Sequence, residues 1–196
     1  MNTSKVIIFA SFALSVLGHP YSYEYIPEVH RATAYINMSN SSIKGIIHFT
    51  QMSDDDTVTI HGNLTGLAPG QHGLHIHQYG DLGNECINAG PHFNPHNKTH
   101  SAPKDSERHV GDLGNIVTDN TKLTIFVLHD NIIKLSGGNN IVGRAIVIHE
   151  KEDDLGHGTT SGSKETGEAG KRVACGIIGK YTIALNCNKI SEIVNF

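Results

Sequence analysis

The chain of 196 residues has no tryptophan, only three cysteines, and no apolar run after residue 18 long enough to span a bilayer. Nothing in its body therefore predicts a membrane crossing. Its charges nearly balance, at a formal net −4, so no basic excess marks it as a nucleic-acid binder. A local positive funnel remains compatible with that total. Sustained helical periodicity is missing too: 21 glycines and short apolar runs between turns argue against a helical bundle. No segment repeats another, and no CxxC pair occurs.

Residues 1–18 read as a secretory signal, with Lys5 ahead of the apolar run Val6–Leu17 and the small Gly18 at its end. Cleavage there would leave His19 near the mature amino terminus and sends the protein out of the cell. Four sequons, at Asn37, Asn40, Asn63 and Asn97, are glycan acceptor candidates in that compartment. Asn97 lies inside a Gly/Pro/Asn-rich segment, where a glycan either shields the segment or is sterically excluded.

Residues 19–30 lack a clean period and read as an irregular extension. Beyond them, turn residues at short intervals separate expected strands over Thr33–Asn37, Ile43–Gln51, Thr57–Leu64, His72–Gln78, Asn115–Thr118, Lys122–Val127, Ile132–Ser136, Ile141–His149 and Arg172–Gly179. Two long stretches, Gly80–Val110 and Asp153–Lys171, have no convincing element and are expected to be functional loops. The pattern predicts an all-β, antiparallel sandwich or barrel.

The histidines concentrate between Gly73 and Asn115. His75 and His77 are two apart on an expected strand, so both point to one side and present two imidazoles to one metal. His92, His100, His109 and Asp112 follow on a long loop that can bring three nitrogens and a carboxylate to a second ion. An imidazole has two nitrogens, so one ring can serve both. Of 14 histidines, His19, His30, His48, His61, His96, His129 and His157 show no partner pattern and read as packed or exposed, while His72 is expected to pack beside the first ligand strand.

HIH, GPHFNP, KDSERHVGDLGN, GRAIVIHEKEDDLG and GEAGKRVACGIIG follow one another in fixed order across residues 31–179. Together they resemble the copper/zinc superoxide dismutase family. The resemblance implies an eight-stranded Greek-key sandwich with a metal and disulfide loop and an electrostatic loop. It implies one copper per subunit on His75, His77, His92 and His149, and one zinc per subunit on His92, His100, His109 and Asp112, with His92 bridging. The donor types agree: four imidazoles suit Cu(II), and a closed nitrogen and carboxylate set suits structural zinc.

Further roles follow from the same resemblance. Cys86 pairs with Cys175, and Asp153 accepts hydrogen bonds from His75 and His100. Arg172 docks the superoxide anion, Thr166 narrows the channel opposite it, and Lys164 guides the anion from afar. The implied reaction turns superoxide into dioxygen and hydrogen peroxide, with His92 carrying a proton. Glu165 stands where a lysine is often found, and Ser161-Gly162 where an acidic pair often precedes it. Lys180 replaces the aliphatic residue that commonly follows GIIG in the familiar homodimer, leaving isologous packing open. Residues 180–196 form a C-terminal extension carrying Cys187, whose expected fate is an intermolecular disulfide, a free thiol or quiet burial. A catalytically silent, secreted copper-binding or partner-binding relative is the alternative reading, and it would be expected to lose a copper histidine or the arginine. The dismutase-like domain of a copper chaperone fits poorly with a signal peptide and no CxxC.

Overall fold

The computed structural model describes residues 29–38 and 41–181. The expected signal, most of the irregular extension, Asn40 and Cys187 lie outside the described residues. In chain order the elements are β1 (His30–Asn37), β2 (Lys44–Gln51), β3 (Val58–Thr65), β4 (Gly70–His77), β5 (Asp112–Thr118), β6 (Leu123–Asp130), β7 (Ala145–His149), α1 (Ser161–Thr166), β8 (Arg172–Ile177) and β9 (Gly179–Lys180).

Alternation decides what each strand buries. In β1, Ala32, Ala34 and Ile36 are buried, and in β3 Val58, Ile60 and Leu64 do the same. They face Leu74 and Ile76 of β4 and Ile146 and Ile148 of β7 in one apolar core. Strand order is β6-β3-β2-β1-β9 in one sheet and β5-β4-β7-β8 in the other. Every strand pairing is antiparallel. The chain crosses between sheets after β3, β5, β6 and β8, so β6 returns beside β3 in the Greek-key manner. Strands β1 to β8 are five to eight residues long and make the expected eight-stranded sandwich. The two-residue β9 is an addition that pairs Gly179 with Thr33 and Lys180 with Ala32.

Three expected elements differ. Ile132–Ser136 is not a strand: Asp130 Oδ1 accepts the backbone N–H groups of Ile132 and Ile133, and Gln51 Oε1 accepts that of Leu135. Side chains thus replace a neighbouring strand, while Ile133, Leu135 and Ile141 still fill the core. The strand expected from Ile141 begins only at Ala145. Within the second long loop, α1 is a single short helix capped by Thr160, whose Oγ1 accepts from Ser163 N at 3.0 Å, and ended by Gly167 at φ +70°.

Candidate metal centre

β4 and β7 lie side by side with Leu74 opposite Ile148 and Ile76 opposite Ile146. Since those four point into the core, His75, His77 and His149 project from the other face of the sheet, beneath the two long loops. The register shifts at both histidine positions, between Gly73 and His75 and between Ile148 and His149. Bulges of this kind re-aim side chains.

The loop after β4 brings His92 against this trio, its ring centroid 4.0 Å from that of His75 and 5.0 Å from that of His77. His100 and His109 stand on the far side of His92, at 5.4 and 5.5 Å. Two groups result, His75, His77, His92 and His149, then His92, His100, His109 and Asp112; in each, the donor atoms lie within 4.8 Å of one another and all residues are buried.

Hydrogen bonds outside the groups set which nitrogen turns inward. His75 Nε2 donates to Asp153 Oδ2 at 2.8 Å, His77 Nδ1 to Gly90 O at 2.8 Å, and His149 Nδ1 to Gly170 O at 3.1 Å. That leaves His75 Nδ1 and the Nε2 atoms of His77 and His149 facing the first group, the latter two 3.4 Å apart. His75 Nδ1 and His92 Nε2 are buried without a hydrogen-bond partner. In the second group one oxygen, Asp112 Oδ1, is approached by His92 Nδ1 at 2.9 Å, His100 Nδ1 at 3.0 Å and His109 Nδ1 at 3.2 Å. His100 Nδ1 is close to that oxygen yet misaligned, and it too lacks a true hydrogen bond. Buried nitrogens left unpaired in this way are costly unless a cation takes their lone pairs. Both donor sets therefore fit a metal ion.

Protonation agrees with that fit in the first group. Burial, with the positive fields of neighbouring groups, pushes His75 and His77 well below the ordinary histidine value, and burial likewise lowers His92 and brings His149 down to about 4. All four are neutral at pH 7, as ligands must be. For His100, burial works downward but the carboxylates of Asp112 and Asp153 on either side of the ring outweigh it, raising it to about 9. Burial pushes both carboxylates up, yet the histidines around them hold Asp112 and Asp153 well below the usual carboxylate range.

A third close group, His75, His100 and Asp153, is of a different kind. Each Asp153 oxygen already accepts one ring N–H at 2.8 Å, so this carboxylate orients two rings and needs no cation of its own. Asn115 holds it by exchanging two 2.8 Å hydrogen bonds with its backbone. A side chain at Gly167 would place a Cβ 1.9 Å from Asp153 Oδ1, at φ +70°, so only glycine fits.

The remaining expected residues fall around this centre. Cys86 and Cys175 are disulfide-bonded, with their Cα atoms 6.1 Å apart. Arg172 is half-buried and donates from Nη1 to Cys86 O at 2.6 Å and from Nη2 to Gly90 O at 2.6 Å. A cleft of about 600 Å³ opens over His92 and His109, bounded by Lys164, Glu165 and Thr166 of α1 and by Asn97 and Lys98. Lys164 Nζ donates to Gly156 O, and Thr166 Oγ1 to Gly162 O at 3.1 Å. Arg172 is not in the lining of that cleft. Asn37, Asn63 and Asn97 are exposed. His72 spans Ala68 O at 2.8 Å and His149 O at 2.9 Å, fastening the start of β4 to β7.

Sequence reasoning passed over Arg108 and Asp130. Arg108 is buried, donates to Asp112 O at 2.6 Å and His109 O at 3.2 Å, and pairs with Asp130. It clamps the backbone that carries two second-group ligands.

Comparison with known proteins gives one answer. The family described as copper/zinc superoxide dismutase matches residues 43–178. The chain is 50% identical over 166 residues to an extracellular superoxide dismutase [Cu-Zn] of Haemonchus contortus, covering 82% of this chain and 90% of that protein. To the Caenorhabditis elegans extracellular superoxide dismutase [Cu-Zn] it is 46% identical over 184 residues, covering 91% and 79% respectively. Superoxide dismutase [Cu-Zn] 5 of Dictyostelium discoideum is 50% identical over 141 residues, covering 72% and 93%.

Proposed function

The chain belongs to the copper/zinc superoxide dismutase family, and on that footing we propose that it is a secreted enzyme converting two superoxide anions and two protons to dioxygen and hydrogen peroxide. His75, His77, His92 and His149 would hold copper, and His92, His100, His109 and Asp112 would hold zinc. Bound there, copper would supply the alternating one-electron chemistry and zinc a structural role, with His92 common to both donor sets. The observation that carries this reading is the position of His92: its Nδ1 faces Asp112 and its Nε2, buried and unpaired, faces the other group.

The chain's own residues do the rest. His92 Nε2 is the atom that takes up a proton and hands it to the reduced substrate. Asp153 keeps the N–H of His75 and His100 turned away from the ions, which fixes both inward nitrogens. The Arg172 guanidinium, fixed in place by three carbonyls, lowers the proton affinity of His77 and His149, which supports its placement beside the copper group as the anion dock. Lys164 and Thr166 border the cleft over His92, which we take as the approach. We take 31–179 as the catalytic domain, following a removed signal at 1–18 and an extension at 19–30, with 180–196 as an appendage; the family match over 43–178 supports this division. Lys180, exposed on β9, stands where the familiar homodimer commonly has an aliphatic residue, which speaks against isologous packing of that kind.

The test is metal content together with superoxide consumption by the mature protein, repeated for His149→Ala. The wild type should hold both metals and consume superoxide; the variant should keep zinc and lose activity. Two bound metals without superoxide consumption would turn the protein into a silent copper-binding module.

A further inference from the structure

Against the disulfide lies a side chain that this chemistry does not use. Met38, just after β1, places Sδ 3.4 Å from Cys86 Sγ and 3.7 Å from Cys175 Sγ. Bridged cysteines carry no S–H, so these are contacts among three sulfurs and not hydrogen bonds. Both cysteines are buried with Ala89, Ala145 and Val147, and Met38 packs over that cluster. Unlike them it is only partly buried, and with Glu85 and Arg172 it walls an open groove of about 360 Å³. A thioether therefore stands between water and the bridge.

We propose that Met38 is a modification site: an oxidisable cover on the Cys86–Cys175 bridge, converted to its sulfoxide by hydrogen peroxide. The balance is simple. The peroxide O–O bond breaks, one oxygen forms the S=O bond at Sδ, and the other leaves as water; the sulfur loses two electrons and the peroxide gains them. The inference rests on the dismutase reading only for the source of that peroxide, which is the reaction's own product. A thioether tolerates an apolar, sulfur-lined niche, whereas a sulfoxide is polar and must reach water. Its departure uncovers the bridge to thiols. It also slackens the turn from Cys86 to Gly90, whose carbonyls hold Arg172 at 2.6 Å.

Met52, 55% exposed and far along the chain from the bridge, supplies the internal standard. Metal-loaded protein, first assayed for superoxide consumption, is treated with added peroxide as wild type, Met52→Leu, and Met52→Leu combined with Met38→Leu. Peptide masses then locate each added oxygen, and dithiothreitol cleavage of the bridge is timed before and after treatment. The expected result is one oxygen on the Met38 peptide and several-fold faster bridge cleavage in treated Met52→Leu, with no acceleration once Met38 is leucine. Because the peroxide is added, the outcome does not depend on turnover, and loss of the dismutase reading would show separately in the first assay. An unmodified Met38 where Met52 of the wild type is fully oxidised, an unchanged cleavage rate, or equal acceleration in the Met38→Leu protein overturns the proposal.

Discussion

At the scale of single residues, the centre depends on giving each ring nitrogen a different partner. Asp153 shows the device most plainly, because its two oxygens fix two rings that belong to different groups. Asp153→Asn keeps the size but replaces one acceptor with a donor facing an N–H. Metal affinity should fall by about 10- to 100-fold, read by competition with a chelator; unchanged affinity would mean that the packing alone orients His75 and His100. Titration of the metal-free chain gives a second expectation. His149, lowered to about 4 in the fold, contributes stability that is complete above its ordinary value of 6.5 and is lost as pH falls toward 4. His100, raised to about 9, contributes stability that is complete below 6.5 and is lost as pH rises toward 9. The melting temperature of the metal-free protein should therefore peak near pH 6.5 and decline on both sides, as scanning calorimetry would show; a monotonic profile would contradict these assignments. The members of the two groups were legible by different routes: strand alternation paired His75 with His77 and loop clustering joined His92, His100, His109 and Asp112, whereas His149, isolated at the end of an expected strand, came only with the family resemblance. Arg108 was not legible, since a charged residue in a polar loop ordinarily faces water, and only the folded loop reveals the carbonyls it clamps.

At the scale of elements, alternation made β1, β3 and β4 readable from the chain, and their observed ends differ from the expected ones by a few residues. Ile132–Ser136 misled because apolar alternation reports burial, whereas a strand also needs a neighbour's backbone, here replaced by Asp130 and Gln51 side chains. α1 went unseen because six residues carry no amphipathic period, although Thr160 and Gly167 are its caps and were there to be read. The pairing of Arg108 with Asp130 ties the loop that carries His109 to the end of β6, leaving a charge stranded if either member is removed. Asp130→Asn should destabilise the protein by about 3–5 kcal/mol in denaturant unfolding. A loss of under about 1 kcal/mol would place the clamp among ordinary surface pairs.

At the scale of the whole molecule, a net charge of −4 and an anionic substrate pull in opposite directions, so arrival depends on local cations at the cleft. Lys98 and Lys164 border it, but Glu165 borders it too and Lys98 is tied to Glu107. Dismutation should slow as ionic strength rises, with Lys164→Gln slower and Glu165→Gln faster than wild type at low salt; a flat profile would dismiss local steering. None of this balance was legible from the totals, which count charges without placing them. The fold's larger task is to bring three strands of one sheet, β4, β5 and β7, and two long loops to the ring common to both groups. The most direct test of that claim is a crystal structure of the fully metallated protein with anomalous data at the copper and zinc edges. Copper should appear at His75 Nδ1 and the Nε2 atoms of His77, His92 and His149, and zinc at Asp112 and the Nδ1 atoms of His92, His100 and His109. A His92 ring touching one ion, or neither, would contradict it.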